Sequence, residues 1–157
     1  MRKFSIESFY VKNVLWILFC LGVAFVCYAL MTAATNLALQ KNETRAAWSV
    51  ADIRRLQNEY SVKHGGKYAS TFDELIREVN LDEDFRGRFP VVSGYIFSMG
   101  LSLPDDRGKQ SYVITATPLE PEGKDQTGRV HFYTDSTLGT IRATRENRPA
   151  TAEDPTI

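Results

Sequence analysis

Val14–Ala34 reads VLWILFCLGVAFVCYALMTAA. No Asp, Glu, Lys or Arg occurs from Asn13 through Gln40. As a helix these 28 residues extend about 42 Å at 1.5 Å per residue. A hydrocarbon core is about 30 Å thick, so the segment is long enough to cross it. The helices of soluble proteins are rarely apolar on every face for so long. Thr32-Ala33-Ala34 has the small residues of a signal-peptidase site. The apolar run, however, exceeds a signal-peptide core of roughly 7–15 residues. The reading is an uncleaved anchor over residues 13–40, with Trp16, Phe19, Cys20, Phe25, Cys27 and Tyr28 as membrane-anchor residues, the two cysteines being small apolar packing residues. Trp16 and Tyr28 suit its two interfacial zones. The cysteines are seven residues apart, about 10 Å along a helix, too far to bridge each other.

The rest of the chain is organised around this span. The whole has 157 residues and a formal net charge of +0. That neutrality combines a leader of residues 1–12, where Arg2, Lys3 and Lys12 face only Glu7, with an acidic excess over residues 41–157. The absence of a basic excess disfavours nucleic acid as a partner. The leader's charge, read with the positive-inside rule, places the N-terminus in the cytoplasm and residues 41–157 outside it. The expected location is therefore the inner (cytoplasmic) membrane, crossed once, with a periplasmic or extracellular domain. That domain has no cysteine and needs a core of its own.

Its elements follow from periodicity. Val50, Ile53, Leu56 and Tyr60 recur at helical spacing and continue the first helix to His64-Gly65-Gly66, where glycine stops it. Thr71-Phe72-Asp73-Glu74 fits a capping box, and Phe72, Leu75, Ile76 and Val79 form the apolar face of a short second helix. Residues 80–93 read as a loop. Tyr95, Phe97, Met99, Leu101 and Leu103 alternate with smaller or outward residues as a first strand. Pro104–Gly108 is a turn. Tyr112, Ile114 and Ala116 mark a second strand, Val130 and Phe132 a third, and Ile141 and Ala143 a fourth. Residues 145–157 read as a polar tail without regular structure. The fold class is α+β: a long helix whose amphipathic half covers one face of a four-stranded antiparallel meander.

This order of elements resembles that of type IV pilins and type II secretion pseudopilins. The likeness is carried by Tyr60–Ala69 with Phe72 and Leu75, by Gly94-Tyr95-Ile96-Phe97, by Tyr112–Pro118, and by Gly128–Asp135 with Gly139–Arg142. It covers roughly residues 45–145. It implies a bacterial, non-enzymatic structural subunit working in a cell-envelope protein complex. The N-terminus departs from the pattern. No glycine precedes Phe4, and Glu7 comes one residue earlier than the family's glutamate. Lys12-Asn13 also interrupts the apolar run. Without a clear prepilin-peptidase site, the helix reads as a permanent anchor. The alternative is a single-span accessory subunit of an energy-converting or transport complex.

Chemistry-bearing groups are sparse. There is no phosphate-binding glycine loop, HExxH or nucleophile elbow. His64 sits at the helix stop, and His131 is expected on the less buried face of its strand. Asp105, Asp106, Asp125 and Asp135 are the acidic candidates for calcium, without EF-hand spacing, and read as turn formers. Asn42-Glu43-Thr44 matches a glycosylation sequon but lies on a helix near the membrane. No catalytic residue, cofactor, metal or small-molecule substrate is expected. The expected partners are the lipid bilayer and other membrane or envelope proteins, with Trp48 and Tyr133 as contact residues.

Overall fold

The computed structural model describes residues 4–103 and 110–157, with side chains described from Asn13 onward. The expected leader charges Arg2 and Lys3, the Pro104–Gly108 turn, and Asp105 and Asp106 lie outside the described residues or side chains. The chain divides into two compact units, residues 1–38 and 39–157. Helix α1, Phe4–Lys63, contributes to both.

In the first unit α1 is exposed on all sides from Asn13 through Met31. It is long and apolar enough to cross a membrane. Two of its hydroxyls are satisfied within the helix. Thr32 Oγ1 donates to Ala29 O at 2.9 Å, and Thr35 Oγ1 to Thr32 O at 2.9 Å. Such back-bonding removes the cost of a hydroxyl in an apolar medium.

In the second unit α1 is amphipathic. Leu39, Ala46, Val50, Ile53, Leu56 and Gln57 are buried, at three-, four- and seven-residue spacing. The stripe thus starts before Val50 and includes one amide. The helix ends at Lys63, where Gly66 N–H reaches back to Ser61 O at 2.8 Å. Helix α2, Phe72–Val79, is capped by Thr71, whose Oγ1 accepts Glu74 N–H at 3.2 Å. The returning arm of the box shifts by one residue: the Glu74 carboxylate accepts Ser70 N–H at 2.6 Å. Thr71→Ala is expected to cost about 1 kcal/mol, read as a lower urea midpoint.

The sheet has five strands, one more than expected: β1 Val91–Val92, β2 Tyr95–Leu101, β3 Tyr112–Pro118, β4 His131–Asp135 and β5 Arg142–Thr144. They lie in sequence order and every pair is antiparallel. The added strand comes from the segment read as a loop, which also holds a short 3-10 turn, Glu83–Phe85. Ser93 and Gly94, with φ of 52° and 76°, make the two-residue turn between β1 and β2. Two successive positive φ values match the twist of a tight hairpin. Strand β2 ends at Leu101, and Leu103, expected to continue it, is exposed.

Tyr95, Phe97, Tyr112, Ile114, Ala116, Phe132 and Ala143 point from the sheet into one core with α1 and α2. Phe85 from the 3-10 turn closes it, edge-on to Phe97 with centroids 5.0 Å apart. Polar ties fix α1 to the loop after β3. Asn42 Nδ2 donates to Thr127 O at 3.0 Å, and Glu43 Oε1 accepts Arg129 N–H at 2.9 Å. Asn42, the sequon residue, therefore uses its amide inside the fold.

Residues 145–157 contain no helix or strand, as expected, but they are attached to the sheet: Ala143 N–H donates to Pro155 O at 2.9 Å and Ile157 N–H to Ile141 O at 3.1 Å. One expectation about the C-terminal part is corrected. His131 is not on an open face: it is buried at 5% exposure. Alternation correctly sends it away from Phe132, but Arg148 of the returning tail lies close enough to act on its charge.

Candidate interaction surface

The apolar side chains proposed for the anchor are solvent-facing in the structure. Trp16, Phe19, Phe25 and Tyr28 are each more than 60% exposed, and Cys20 and Cys27 are free and exposed thiols. Trp16 and Phe19 meet edge to face with centroids 5.9 Å apart. A contiguous apolar surface of this kind requires a cover of lipid or protein.

In the second unit the large aromatic out of place is Trp48. It is 73% exposed, although the helix positions on either side of it, Ala46 and Val50, are buried. Its ring borders a cleft of about 260 Å³ with Ser49, Asp52, Leu81, Asp82 and Phe85. Leu81 and Phe85 are buried and supply the floor. Two carboxylates stand at the rim. Asp52 pairs with Arg55, one turn along α1, at 2.7 Å. Asp82 Oδ1 accepts Asp84 N–H at 3.0 Å. An exposed ring over an apolar floor with a polar rim has the composition of a protein-contact site.

Tyr133 is half-buried and lies on the opposite, outer face of the sheet, between Thr115 on β3 and Arg142 on β5. Its hydroxyl donates to Asp135 Oδ2 at 2.9 Å. Burial and that bond push its pKa up to about 12. Burial opposes ionisation of Asp135, but donors from Thr137, Leu138 and Tyr133 outweigh it and hold the carboxyl below the usual range. The structure therefore does not bring Trp48 and Tyr133 into one surface, and the phenol is already engaged.

Two further clefts flank the core. One, of about 440 Å³, lies between Arg54, Arg55 and Asn58 of α1 and the turn Ser136–Gly139, where Arg54 Nη1 donates to Gly139 O at 2.5 Å. The other, of about 370 Å³, is bordered by Ser70–Asp73, Gly87, Arg88 and Met99. Among the described residues no group of three or more His, Cys, Asp or Glu is placed to hold a metal ion. Asp125 is exposed, and Asp135 spends Oδ1 on its own turn and Oδ2 on the Tyr133 hydroxyl. His64 stacks on Tyr60, with centroids 4.0 Å apart, and lies 4.0 Å from the Glu78 carboxylate.

Sequence reasoning missed two polar residues that matter to the fold, Gln57 and Asp154. Both are buried. Their residue types carry no signal by themselves; only a polar residue falling on an apolar stripe marks Gln57. No family model, curated protein or solved structure matches the chain.

Proposed function

We propose that this protein is a non-enzymatic, membrane-anchored subunit of pilin-like design, presenting a binding surface in a cell-envelope assembly. The observation that carries this reading is the division of labour along α1. One helix is exposed and apolar on every face in its first part, from Val14 through Met31, and packs a buried stripe on an antiparallel meander in its second, from Leu39 onward. The first part has the length and composition for a bilayer, and the second positions the sheet domain. The leader's positive charge supports a cytoplasmic N-terminus and an exported domain. The work expected of such a subunit is holding and contact, with the Trp48 cleft as the surface offered to a protein partner.

A second reading is an accessory subunit whose span packs laterally against the helices of a larger membrane complex. Lys12-Asn13 and the absence of a glycine before Phe4 favour it, since both disfavour processing for a filament. Purification in mild detergent with N-terminal sequencing separates the two. An intact Met1 with a stoichiometric membrane complex would exclude the filament. A chain beginning near Phe4 in sheared fibres would exclude the accessory subunit. Protease added to intact spheroplasts should digest residues 41–157; their protection would refute export.

Trp48→Ala is expected to leave the melting temperature nearly unchanged, because the ring is exposed. Recovery of the co-purifying protein should fall by about tenfold, the effect of losing one aromatic anchor. Unchanged recovery would remove the cleft from the binding surface.

A further inference from the structure

The tail is attached to the sheet in an unusual way. On the outer face His131 and Thr144 stand opposite one another in the β4–β5 pair, and both are buried. Thr144 Oγ1 accepts Glu146 N–H at 3.2 Å. Arg148 then clasps Asp154 with two nitrogens, at 2.9 and 2.6 Å. Asp154 Oδ2 also accepts Thr151 N–H at 2.7 Å. From there the chain runs antiparallel to β5, and Arg142 Nη1 donates to Thr156 Oγ1 at 2.7 Å. The strand-pairing edge of β5 is thus occupied by the chain's own end.

Little apolar burial holds this segment. Of the hydrophobic residues beyond Thr144, Ala150 is buried, whereas Ile157 is 64% exposed. Apolar burial is the dominant stabilising term in folding, so a segment held by an ion pair and a few hydrogen bonds opens more readily than the core.

His131 is buried opposite Thr144, the residue from which the tail departs. Its Nδ1 has no hydrogen-bond partner among the described residues. Thr144 on β5 and Thr117, next on β3 after the Ala116↔Phe132 pair, are neutral. From the tail comes the Arg148 guanidinium, whose acidic partners Glu146 and Asp154 are engaged with it. A proton on the imidazole would therefore be a buried charge whose Nδ1–H finds no acceptor. Burial first, and then Arg148, hold the His131 pKa below its ordinary value.

We propose that residues 145–157 form a latch on the β5 edge and that protonation of His131 opens it, exposing Ala143 N–H and Ile141 C=O for strand pairing. The sign follows from linkage. The closed state binds the proton less well than the open one, where the imidazole is in water and titrates near 6.5. The closed state is favoured above that pH and loses its advantage as pH falls toward the depressed value. Each unit of depression makes opening about tenfold more frequent at acid pH. Asp154 does not produce the same window: Arg148 holds its carboxyl below the usual range, so it titrates at lower pH.

The test is hydrogen exchange of the full chain in detergent micelles at pH 7.5 and 5.0, corrected for intrinsic exchange. Protection of the Ala143 amide should fall severalfold at pH 5.0, while Phe97 and Ile114 stay protected. His131→Gln should abolish the pH dependence, and His64→Gln, at the other histidine, should retain it. Asp154→Asn should lower Ala143 protection at both pH values. If His131→Gln perturbs folding, the Phe97 and Ile114 amides will show it, and the wild-type and His64→Gln profiles still decide. Equal Ala143 protection at the two pH values would overturn the latch. So would an equal loss at the core amides, or a pH dependence that survives in a folded His131→Gln chain.

Discussion

Gln57→Leu is expected to destabilise the domain of residues 39–157 by about 3 kcal/mol. Gln57 is fully buried on the core face of α1. Its Nε2 donates to Ala69 O at 2.9 Å and its Oε1 accepts Ala69 N–H at 2.9 Å. The amide thereby stands in for a neighbouring strand and satisfies both backbone groups of a buried residue that belongs to no ladder. Leucine nearly matches the volume, so cavity formation is not the cost. The cost is two stranded backbone groups at Ala69, about 1–3 kcal/mol each. For a domain of this size that lowers the melting temperature by roughly 10–15 °C. The Ala69 amide should lose exchange protection in the same variant. A change within about 0.5 kcal/mol would mean that water or a shifted loop replaces the bracket.

Gly128→Ala is expected to be as damaging for the opposite reason. A Cβ at residue 128 would lie 2.2 Å from Tyr95 Oη, 2.6 Å from Cζ and 2.8 Å from Cε2. The Tyr95 ring is wholly buried and packs on Phe132, with centroids 5.9 Å apart, so it has little room to retreat. Overpacking a filled core costs typically about 1–3 kcal/mol, and a rigid ring places this case at the upper end. Combining Gly128→Ala with Tyr95→Phe removes the shortest overlap but leaves those to the ring carbons, so it should recover part of the loss. Gly139→Ala, where a Cβ meets nothing within 4 Å, is the control and should change stability by less than about 0.5 kcal/mol. Urea melts followed by near-ultraviolet circular dichroism measure all three. Equal stability of Gly128→Ala and Gly139→Ala would show that the sheet yields where the packing says it should not.

These two residues illustrate what can be read from a single chain. The apolar stripe on α1 was legible at Val50, Ile53 and Leu56 because a helix face repeats every three to four residues. Gln57 was not, because an amide that brackets a backbone looks the same in sequence as one facing water. Strands β2, β3 and β4 were legible from alternation. Strand β1 was lost because two residues are too few for a period to show, although Val-Ser-Gly-Tyr carried the hairpin's turn chemistry. For His131, alternation gave the side of the sheet correctly and the burial wrongly. The tail that returns toward it is more than ten residues away in sequence. Trp48 was singled out as a contact residue, but its floor of Leu81 and Phe85 comes from a segment read only as a loop.

What the sequence determined by itself is therefore local and additive: a charge-free helix long enough for a bilayer, the amphipathic face that follows it, the cap at Thr71 and the alternating strands. Each rests on neighbours within a few residues, where backbone geometry alone relates position to direction. Tertiary structure decided which polar groups became buried and what satisfied them. Gln57 met Ala69, the chain end met β5, and Gly128 met the edge of Tyr95. Those outcomes depend on close packing between distant segments, where a shift of an ångström converts a hydrogen bond into a clash or a stranded donor.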